Sequence, residues 1–162
     1  IIGVELMRKP SSTLLMSLLF LWALNPFATV YAAGDDPIYT SFFSNVAVSG
    51  YDTVAYFTEG EPVEGSRMFS TSYQGATWHF KNAENLATFN ADPEAYAPQY
   101  GGYCAYAIAQ GDTVSAQPDL WTIHDGKLYL NYSRSVNKTW LADMEAFIVK
   151  ADAIWPELLK GN

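Results

Sequence analysis

The sequence predicts an α+β fold: a small antiparallel sheet built from two β-hairpins, packed with a short helix and a long C-terminal amphipathic helix. Two strand-like segments are each divided by a tight-turn pair, Gln74 with Gly75 and Asp125 with Gly126. Such pairs between alternating apolar runs favour antiparallel hairpins. Near the C-terminus, apolar residues recur at the three- and four-residue spacing of a helix.

The first hairpin is predicted to pair residues 68–73 with residues 76–80. Successive side chains of a strand point to opposite faces, so Trp78 and Phe80 share one face and His79 lies on the other. The buried face of this hairpin is therefore predicted to be aromatic.

A short helix is predicted after the first hairpin. Asn82 can cap it by accepting a hydrogen bond from a first-turn amide, and Leu86 and Phe89 form its apolar face. The helix is expected to end near Asp92, because the residue before a proline is disfavoured in helical geometry.

The second hairpin is predicted to pair residues 120–124 with residues 127–132 around Asp125 and Gly126. From Ser135 to about Trp155 the apolar spacing indicates one long amphipathic helix. Pro156 is expected to end that helix. No internal repeat is recognisable in the sequence.

The N-terminal residues have the pattern of a secretory signal peptide. Arg8 and Lys9 precede an apolar run over residues 14–24, and small residues follow at positions 30–33. A membrane helix is the alternative, but this run is shorter than the roughly 20 residues that a span requires. We expect residues 1–32 to be cleaved, with residues 1–6 upstream of the true start at Met7.

The predicted organisation therefore has three parts: a signal peptide over residues 1–32, a leader segment over residues 33–47, and a single domain over residues 48–162. Residues 41–47 of the leader contain aromatics that are expected to pack on the domain. Localisation is expected to be periplasmic or extracellular, with no stable membrane anchor after cleavage.

Removal of the signal would leave 162 − 32 = 130 residues, enough for one domain with a hydrophobic core. The whole chain has 17 acidic and 9 basic residues and a net charge of −8. A surface this acidic repels phosphate backbones, so nucleic-acid partners are not expected. Metal ions and small ligands remain compatible with this charge.

Three segments carry a family resemblance: Asp-Thr-Val-Ala at residues 52–55, Phe-Lys-Asn-Ala-Glu-Asn at 80–85 and Phe-Asn-Ala-Asp-Pro-Glu-Ala-Tyr at 89–96. Their order and spacing resemble the YHS domain family. That resemblance implies a metal-binding module that uses cysteines. In this chain Ala55, Lys81 and Asn85 stand where those cysteines are expected.

A metal site would then need other donors. Cys104 is the only cysteine, and His79 and His124 are the only histidines. Thiolate and imidazole donors suit copper or zinc, so these three residues are the predicted metal ligands. Met68 and nearby Tyr and Asp side chains are further candidate donors. Asp52 is expected to brace a turn rather than to bind an ion. Cys104 as a buried apolar residue, and the histidines as ordinary strand residues, are the structural alternatives.

Three functions are considered from the sequence. The first is an exported metal-binding or metal-handling accessory protein, with a copper-like soft metal. The second is a non-catalytic module that binds a small molecule or a peptide in an aromatic cleft near Tyr100, Tyr103 and Tyr106. The third, and least supported, is a thiol enzyme that pairs Cys104 with a histidine, since no nucleophile motif is recognisable.

Overall fold

The computed structural model describes residues 36–161, which belong to one compact unit over residues 31–162. The predicted signal peptide and the first residues of the leader lie outside the described residues. The α+β class is confirmed, because helices accompany two antiparallel two-stranded sheets. Each hairpin forms its own sheet rather than joining the other.

Besides two short 3-10 helices at Val48–Gly50 and Gln99–Gly102, the described residues form ten α-helices and strands, which we number in chain order. They are α1 (Ala55–Thr58), β1 (Ser66–Tyr73), β2 (Ala76–Phe80), α2 (Ala83–Ala91), α3 (Pro93–Tyr96), α4 (Ala105–Gln110), β3 (Gln117–His124), β4 (Lys127–Asn131), α5 (Arg134–Ala142) and α6 (Met144–Lys160).

The two hairpins have the same register at different positions in the chain. In the first, Ser66 pairs with Phe80 and Tyr73 with Ala76; in the second, Gln117 pairs with Asn131 and His124 with Lys127. Each of these positions differs from its counterpart by 51 residues, as in 117 − 66 = 51. Both hairpins also have an irregularity at the same place in the longer strand.

A left-handed turn precedes each hairpin unit. Val48, Ser49 and Gly50 have φ angles of 49°, 53° and 86°, and Tyr100, Gly101 and Gly102 have φ angles of 56°, 61° and 86°. Runs of positive φ are rare for residues other than glycine. Both runs are followed by a tyrosine in an isolated β-bridge, Tyr51 with Glu64 and Tyr103 with Ser115.

The helices after the hairpins also correspond. α2 and α5 each have nine residues, and each is capped by a side chain that accepts from the third residue on, Asn82 from Asn85 and Ser133 from Val136. Asp92 and Asp143 follow these helices with φ angles of −153° and −147°. An aromatic residue occupies the same fully buried position in both helices: Phe89 in α2 and Trp140 in α5.

Residues 48–143 thus contain two structural repeats, although no repeat is recognisable in the sequence. We call residues 48–92 the first repeat and residues 100–143 the second repeat. The duplication escapes the sequence because few side chains are the same at matching positions: Ser66–Tyr73 aligns with Gln117–His124, and Ala76–Phe80 with Lys127–Asn131.

The predicted long C-terminal helix is confirmed as α6, but its predicted bounds are wrong in two respects. Asp143 has non-helical angles and separates α5 from α6, because the second repeat ends there as the first ends at Asp92. Pro156 lies inside α6, which continues to Lys160. Proline removes its own amide hydrogen bond and crowds the carbonyl of Asp152, and the packing of Ala151 and Trp155 against the core holds the remaining turns in place.

The core forms two clusters that share the second hairpin. One cluster contains Trp78, Phe80 and Phe89 of the first repeat together with Leu128 and Leu130 of β4. The other contains Tyr129 of β4 and Trp140, packed with Tyr100 and with Ala151 of α6. Successive β4 side chains therefore face different clusters, which ties the two repeats into one unit.

The leader contacts the domain only in part. Ile38 and Ala47 are buried, but Phe42 and Phe43 are 95% and 94% exposed, so the expectation that these aromatics pack on the domain is wrong. Asn45 and Ala47 instead form backbone hydrogen bonds with Thr77 of β2. Of the helices in residues 36–161, none is long and apolar enough to cross a membrane.

We predict that Gly101→Ala destabilises the protein by about 3 kcal/mol, because the residue combines a positive φ with close packing. A Cβ atom on Gly101 would overlap the carbonyl oxygen of Pro37. Gly111→Ala is the matched control, since Gly111 has a φ of 86° and nothing within 4 Å of its Cβ position. Its expected loss is about 1 kcal/mol. Urea unfolding measures both, and equal losses would contradict the predicted steric overlap.

Candidate functional site

The positions at which the family resemblance places cysteines surround a buried carboxylate. Asp52 is 0% exposed. Its Oδ1 accepts hydrogen bonds from the amides of Val54 and Ala55, at 2.9 and 3.3 Å. Its Oδ2 accepts from the amide of Lys81 at 2.9 Å and from the side-chain amide of Asn85 at 2.7 Å. We call this group the Asp52 cluster.

The fold explains why these groups meet. Asp52 follows the first left-handed turn and caps the start of α1. Lys81 follows the end of β2, and Asn85 lies in the first turn of α2. One carboxylate thus joins three elements of the first repeat. The expected bracing role of Asp52 is confirmed, because the Lys81 amide and the Asn85 side chain donate to its Oδ2.

The second repeat contains a related polar cluster at the corresponding position. Cys104 follows the second left-handed turn as Asp52 follows the first, and each donates its amide to a valine carbonyl, Asp52 to Val63 and Cys104 to Val114. The Cys104 Sγ donates to Asn131 Oδ1 at 3.5 Å. Since Cys104 is 1% exposed, its thiol is a buried structural donor in this conformation.

Asn131 is the centre of this second cluster. It is 1% exposed, accepts also from the Tyr106 amide at 3.2 Å, and donates to Asn137 Oδ1 at 3.0 Å. The cluster therefore joins the start of α4, the end of β4 and α5. These are the counterparts of the elements that the Asp52 cluster joins, with a neutral amide in place of the carboxylate.

His79 lies on the outer face of β2, as predicted, and lines a pocket of about 480 Å³. Its ring packs over Gly50, whose Cβ position would be 3.3 Å from His79 Nδ1. Burial lowers the pKa of His79 below its ordinary value, and the Arg67 guanidinium lowers this pKa further. The imidazole is therefore neutral at pH 7.

His124 lies elsewhere, at the end of β3. Its Nε2 is 3.5 Å from Asp125 Oδ2 and 3.9 Å from Glu145 Oε1. Both carboxylates are largely exposed, so these ion pairs are weak.

The structure does not bring the three predicted metal ligands together. His79 and His124 line different pockets, and Cys104 is hydrogen-bonded to Asn131 in the interior. Within residues 36–161, no group of three or more His, Cys, Asp or Glu side chains could hold a metal ion. Copper and zinc therefore have no assembled donor set in this part of the chain.

Of the three predicted cleft tyrosines, Tyr100 lines one of the two larger pockets described here. Tyr100 borders a pocket of about 480 Å³ together with Tyr73 and Trp155, which we call the aromatic cleft. Tyr103 packs its ring against Tyr39 and Trp155, and Tyr106 packs against Phe147. Neither of these two tyrosines is part of the cleft lining.

Tyr100 is held firmly at the cleft. Its hydroxyl donates to Asp152 Oδ1 on α6 at 2.8 Å, and the residue is 5% exposed. Burial, together with this hydrogen bond, raises the pKa of the Tyr100 phenol far above its ordinary value. The phenol therefore stays protonated at physiological pH and keeps its bond to Asp152.

Sequence patterns identified only part of these surroundings. Tyr73 and Trp155 were recognisable as core aromatics, but nothing in the sequence placed them beside Tyr100. Arg67 and Glu64, which share the pocket of His79, carried no motif at all.

A comparison with known families supports the resemblance. Residues 54–100 match the model of the YHS domain family. The match lies almost wholly in the first repeat and ends at the second left-handed turn. No curated protein and no solved structure is significantly similar to the chain.

We predict that Asp52→Asn destabilises the protein by about 3 kcal/mol, because an amide nitrogen would replace an acceptor that faces buried donors. The Lys81 amide and the Asn85 side chain would lose their shared partner. Asp112→Asn is the control, since Asp112 is exposed and a change of at most about 0.5 kcal/mol is expected there. Thermal and urea unfolding measure both variants; a similar loss in each would exclude the bracing role.

We also predict that Cys104 does not react with an aromatic disulfide reagent in the native protein, because its thiol is buried. Stoichiometric labelling is expected once denaturant is added. A Cys104→Ser, Ser72→Cys variant is the control, because residue 72 is exposed on β1 and its thiol should react at once. Rapid native labelling of Cys104 would contradict the buried position.

Proposed function

We propose that the protein is a non-catalytic binding module that takes a small aromatic molecule into the aromatic cleft. The observation that carries this proposal is the preformed wall of Tyr73, Tyr100 and Trp155 around about 480 Å³ of open volume. Ligand sites commonly have volumes of about 300 to 1,000 Å³ and are lined by aromatic side chains with a few polar groups.

The rigidity of the cleft supports this proposal. Tyr100 is bound to Asp152, and its ring lies 6.2 Å from that of Trp155. The neighbouring Gly101 carbonyl accepts a hydrogen bond from the Tyr39 amide at 2.9 Å. A wall held by both side-chain and backbone contacts loses little conformational entropy when a ligand binds.

The polar groups of the cleft favour a ligand with an aromatic ring and a hydrogen-bonding substituent. Gln74 and Gln99 contribute amide groups, and Glu94 and Lys127 contribute one charge of each sign. The apolar side chains of Ile38 and Leu159, also in the lining, complete a mixed surface. Such a surface suits a phenol or an indole better than a plain hydrocarbon.

In residues 36–161, Cys104 is not assembled with a histidine into a thiol nucleophile, which favours binding over catalysis. Cys104 is bonded to Asn131, and the two histidines lie apart from it. A thiol enzyme needs an imidazole within hydrogen-bond reach of its sulfur. Metal handling is the role that the YHS domain suggests in general. Residues 36–161 contain no group of three or more His, Cys, Asp or Glu side chains that could hold a metal ion, so this role has less support.

Export remains part of the proposal, since it follows from the predicted signal over residues 1–32. A binding module in the periplasm or outside the cell would meet small aromatic molecules before they enter the cytoplasm. Cell fractionation of the tagged protein tests this location independently of ligand binding.

The cleft is tested by titrating the protein with 4-methylphenol while recording amide NMR shifts. We expect saturable shifts at Ala97 and Gly101, with binding about fivefold tighter than that of 4-methylcyclohexanol, because ring stacking contributes about 1 kcal/mol. The two probes have nearly the same size and hydroxyl group. Equal binding of both, or shifts confined to other parts of the protein, would refute the aromatic site.

Ala97→Phe provides a variant test, because this residue lines the cleft and a phenyl ring would occupy it. Binding of 4-methylphenol is expected to be lost. Ala87→Phe places the same ring on the exposed face of α2 and should leave the affinity unchanged. Unfolding curves for both variants separate loss of the cleft from loss of the fold.

A further inference from the structure

The pocket that contains His79 is a second site of different chemistry. We propose that this pocket binds a small zwitterion of the α-amino-acid type, with Arg67 holding the carboxylate and Glu64 the ammonium group. We call it the Arg67 pocket. It has a volume of about 480 Å³ and shares no lining residue with the aromatic cleft.

The duplication explains how the Arg67 pocket arises. In the second repeat, the corresponding hairpin face is covered by Tyr56 of the first repeat, whose hydroxyl donates to the Pro118 carbonyl at 3.0 Å. The Tyr56 ring also packs 5.4 Å from the Trp121 ring. Tyr56 of the first repeat thus covers the hairpin face of the second repeat.

The reverse contact is not made. The helix of the second repeat that corresponds to α1 is α4, and α4 packs mainly against α6. The hairpin face of the first repeat is therefore left without its partner, and residues of the leader, including Ser41 and Ser44, form its rim.

The side chains on the open hairpin face of the first repeat differ from those on the covered face of the second repeat. At a constant offset of 51 residues, Pro118, Trp121 and Leu130 of the second repeat correspond to Arg67, Ser70 and His79 of the first. The covered face is apolar, whereas the open face carries hydrogen-bonding and charged groups. An uncovered hairpin face could stay soluble with any polar residues, so the charges need a further explanation.

Within residues 36–161, the two charged side chains of the pocket are not paired with each other, and the Arg67 guanidinium lies close enough to His79 to lower its pKa. Among residues 36–161, neither the Arg67 guanidinium nor the Glu64 carboxylate forms an ion pair or a side-chain hydrogen bond. Both side chains line the same pocket, with opposite charges. Opposite charges that face one cavity without pairing suit a ligand that carries both signs.

His79 and the glycines around it give the pocket a fixed floor. A Cβ on Gly65 would lie 2.5 Å from the His79 carbonyl carbon, and Gly50 leaves room for the imidazole. These close approaches hold β2 against the left-handed turn. Tyr39 and Val46, which also line the pocket, offer apolar surface for a ligand side chain.

A matched set of three probes tests the proposal: L-leucine, 4-methylpentanoate and 3-methylbutylamine. The second probe is leucine without its amino group, and the third is leucine without its carboxylate. In amide NMR titrations at pH 7, we expect leucine to give saturable shifts at Gly50, Gly65 and His79. The carboxylate probe should bind at least about fivefold more weakly, and the amine should not bind measurably.

Variants then assign the two charges. Arg67→Ala should weaken leucine binding at least about tenfold, whereas Arg134→Ala, which removes an exposed arginine of α5, should have no effect. Glu64→Gln should weaken leucine but leave 4-methylpentanoate unchanged. Because Arg67 and Glu64 are both exposed, these variants should fold normally, which unfolding curves verify.

Two results would overturn the proposal. One is the absence of saturable shifts in the Arg67 pocket up to about 10 mM leucine or 4-methylpentanoate. The other is the same leucine affinity for Arg67→Ala and Arg134→Ala. Leucine shifts confined to Ala97 and Gly101 would likewise overturn this site, while leaving ligand binding in the aromatic cleft intact.

Discussion

The architecture of the first repeat depends on one buried carboxylate. Asp52 satisfies amides from two elements and a side chain from a third, so α1, β2 and α2 share a single acceptor. A carboxylate with no exposed surface is stable only when its oxygens are hydrogen-bonded. The Asp52 cluster therefore fixes how the hairpin meets its flanking helices. It also occupies the region where the family resemblance places cysteines, because its oxygens accept hydrogen bonds from groups of Ala55, Lys81 and Asn85.

In the second repeat, a different set of polar groups joins the hairpin to its flanking helices. Asn131 joins α4, β4 and α5 through bonds to Cys104, Tyr106 and Asn137. A neutral amide can both donate and accept, so it links a thiol, a backbone amide and another side-chain amide without burying a charge. The burial of the single cysteine, Cys104, is understood in this context. Its position follows from the duplication, and its burial follows from its role as a donor within this second cluster.

The two pockets arise because the two repeats do not make equivalent contacts with each other. Tyr56 reaches across to Pro118 and Trp121, but no equivalent contact returns from α4, which packs against α6. The open hairpin face became the polar Arg67 pocket. The aromatic cleft forms where Tyr100 of the second left-handed turn meets Trp155 of α6. Both pockets therefore lie where the contacts of the two repeats differ, and a binding function would depend on these concave surfaces.

The sequence by itself determined the local elements: the two hairpin turns, the Asn82 cap, the face that Trp78 and Phe80 share, and the bracing role of Asp52. Each of these follows from residue types within a few positions of one another. Only the tertiary structure decided three other features. These are the end of α5 at Asp143, the separation of Cys104 from both histidines, and the formation of the aromatic cleft and the Arg67 pocket. They depend on contacts between residues far apart in the chain. The structural repeat was not visible in the sequence for a related reason. The backbone pairing of the strands and the buried position of a large side chain are the same in both repeats, but the residue types differ.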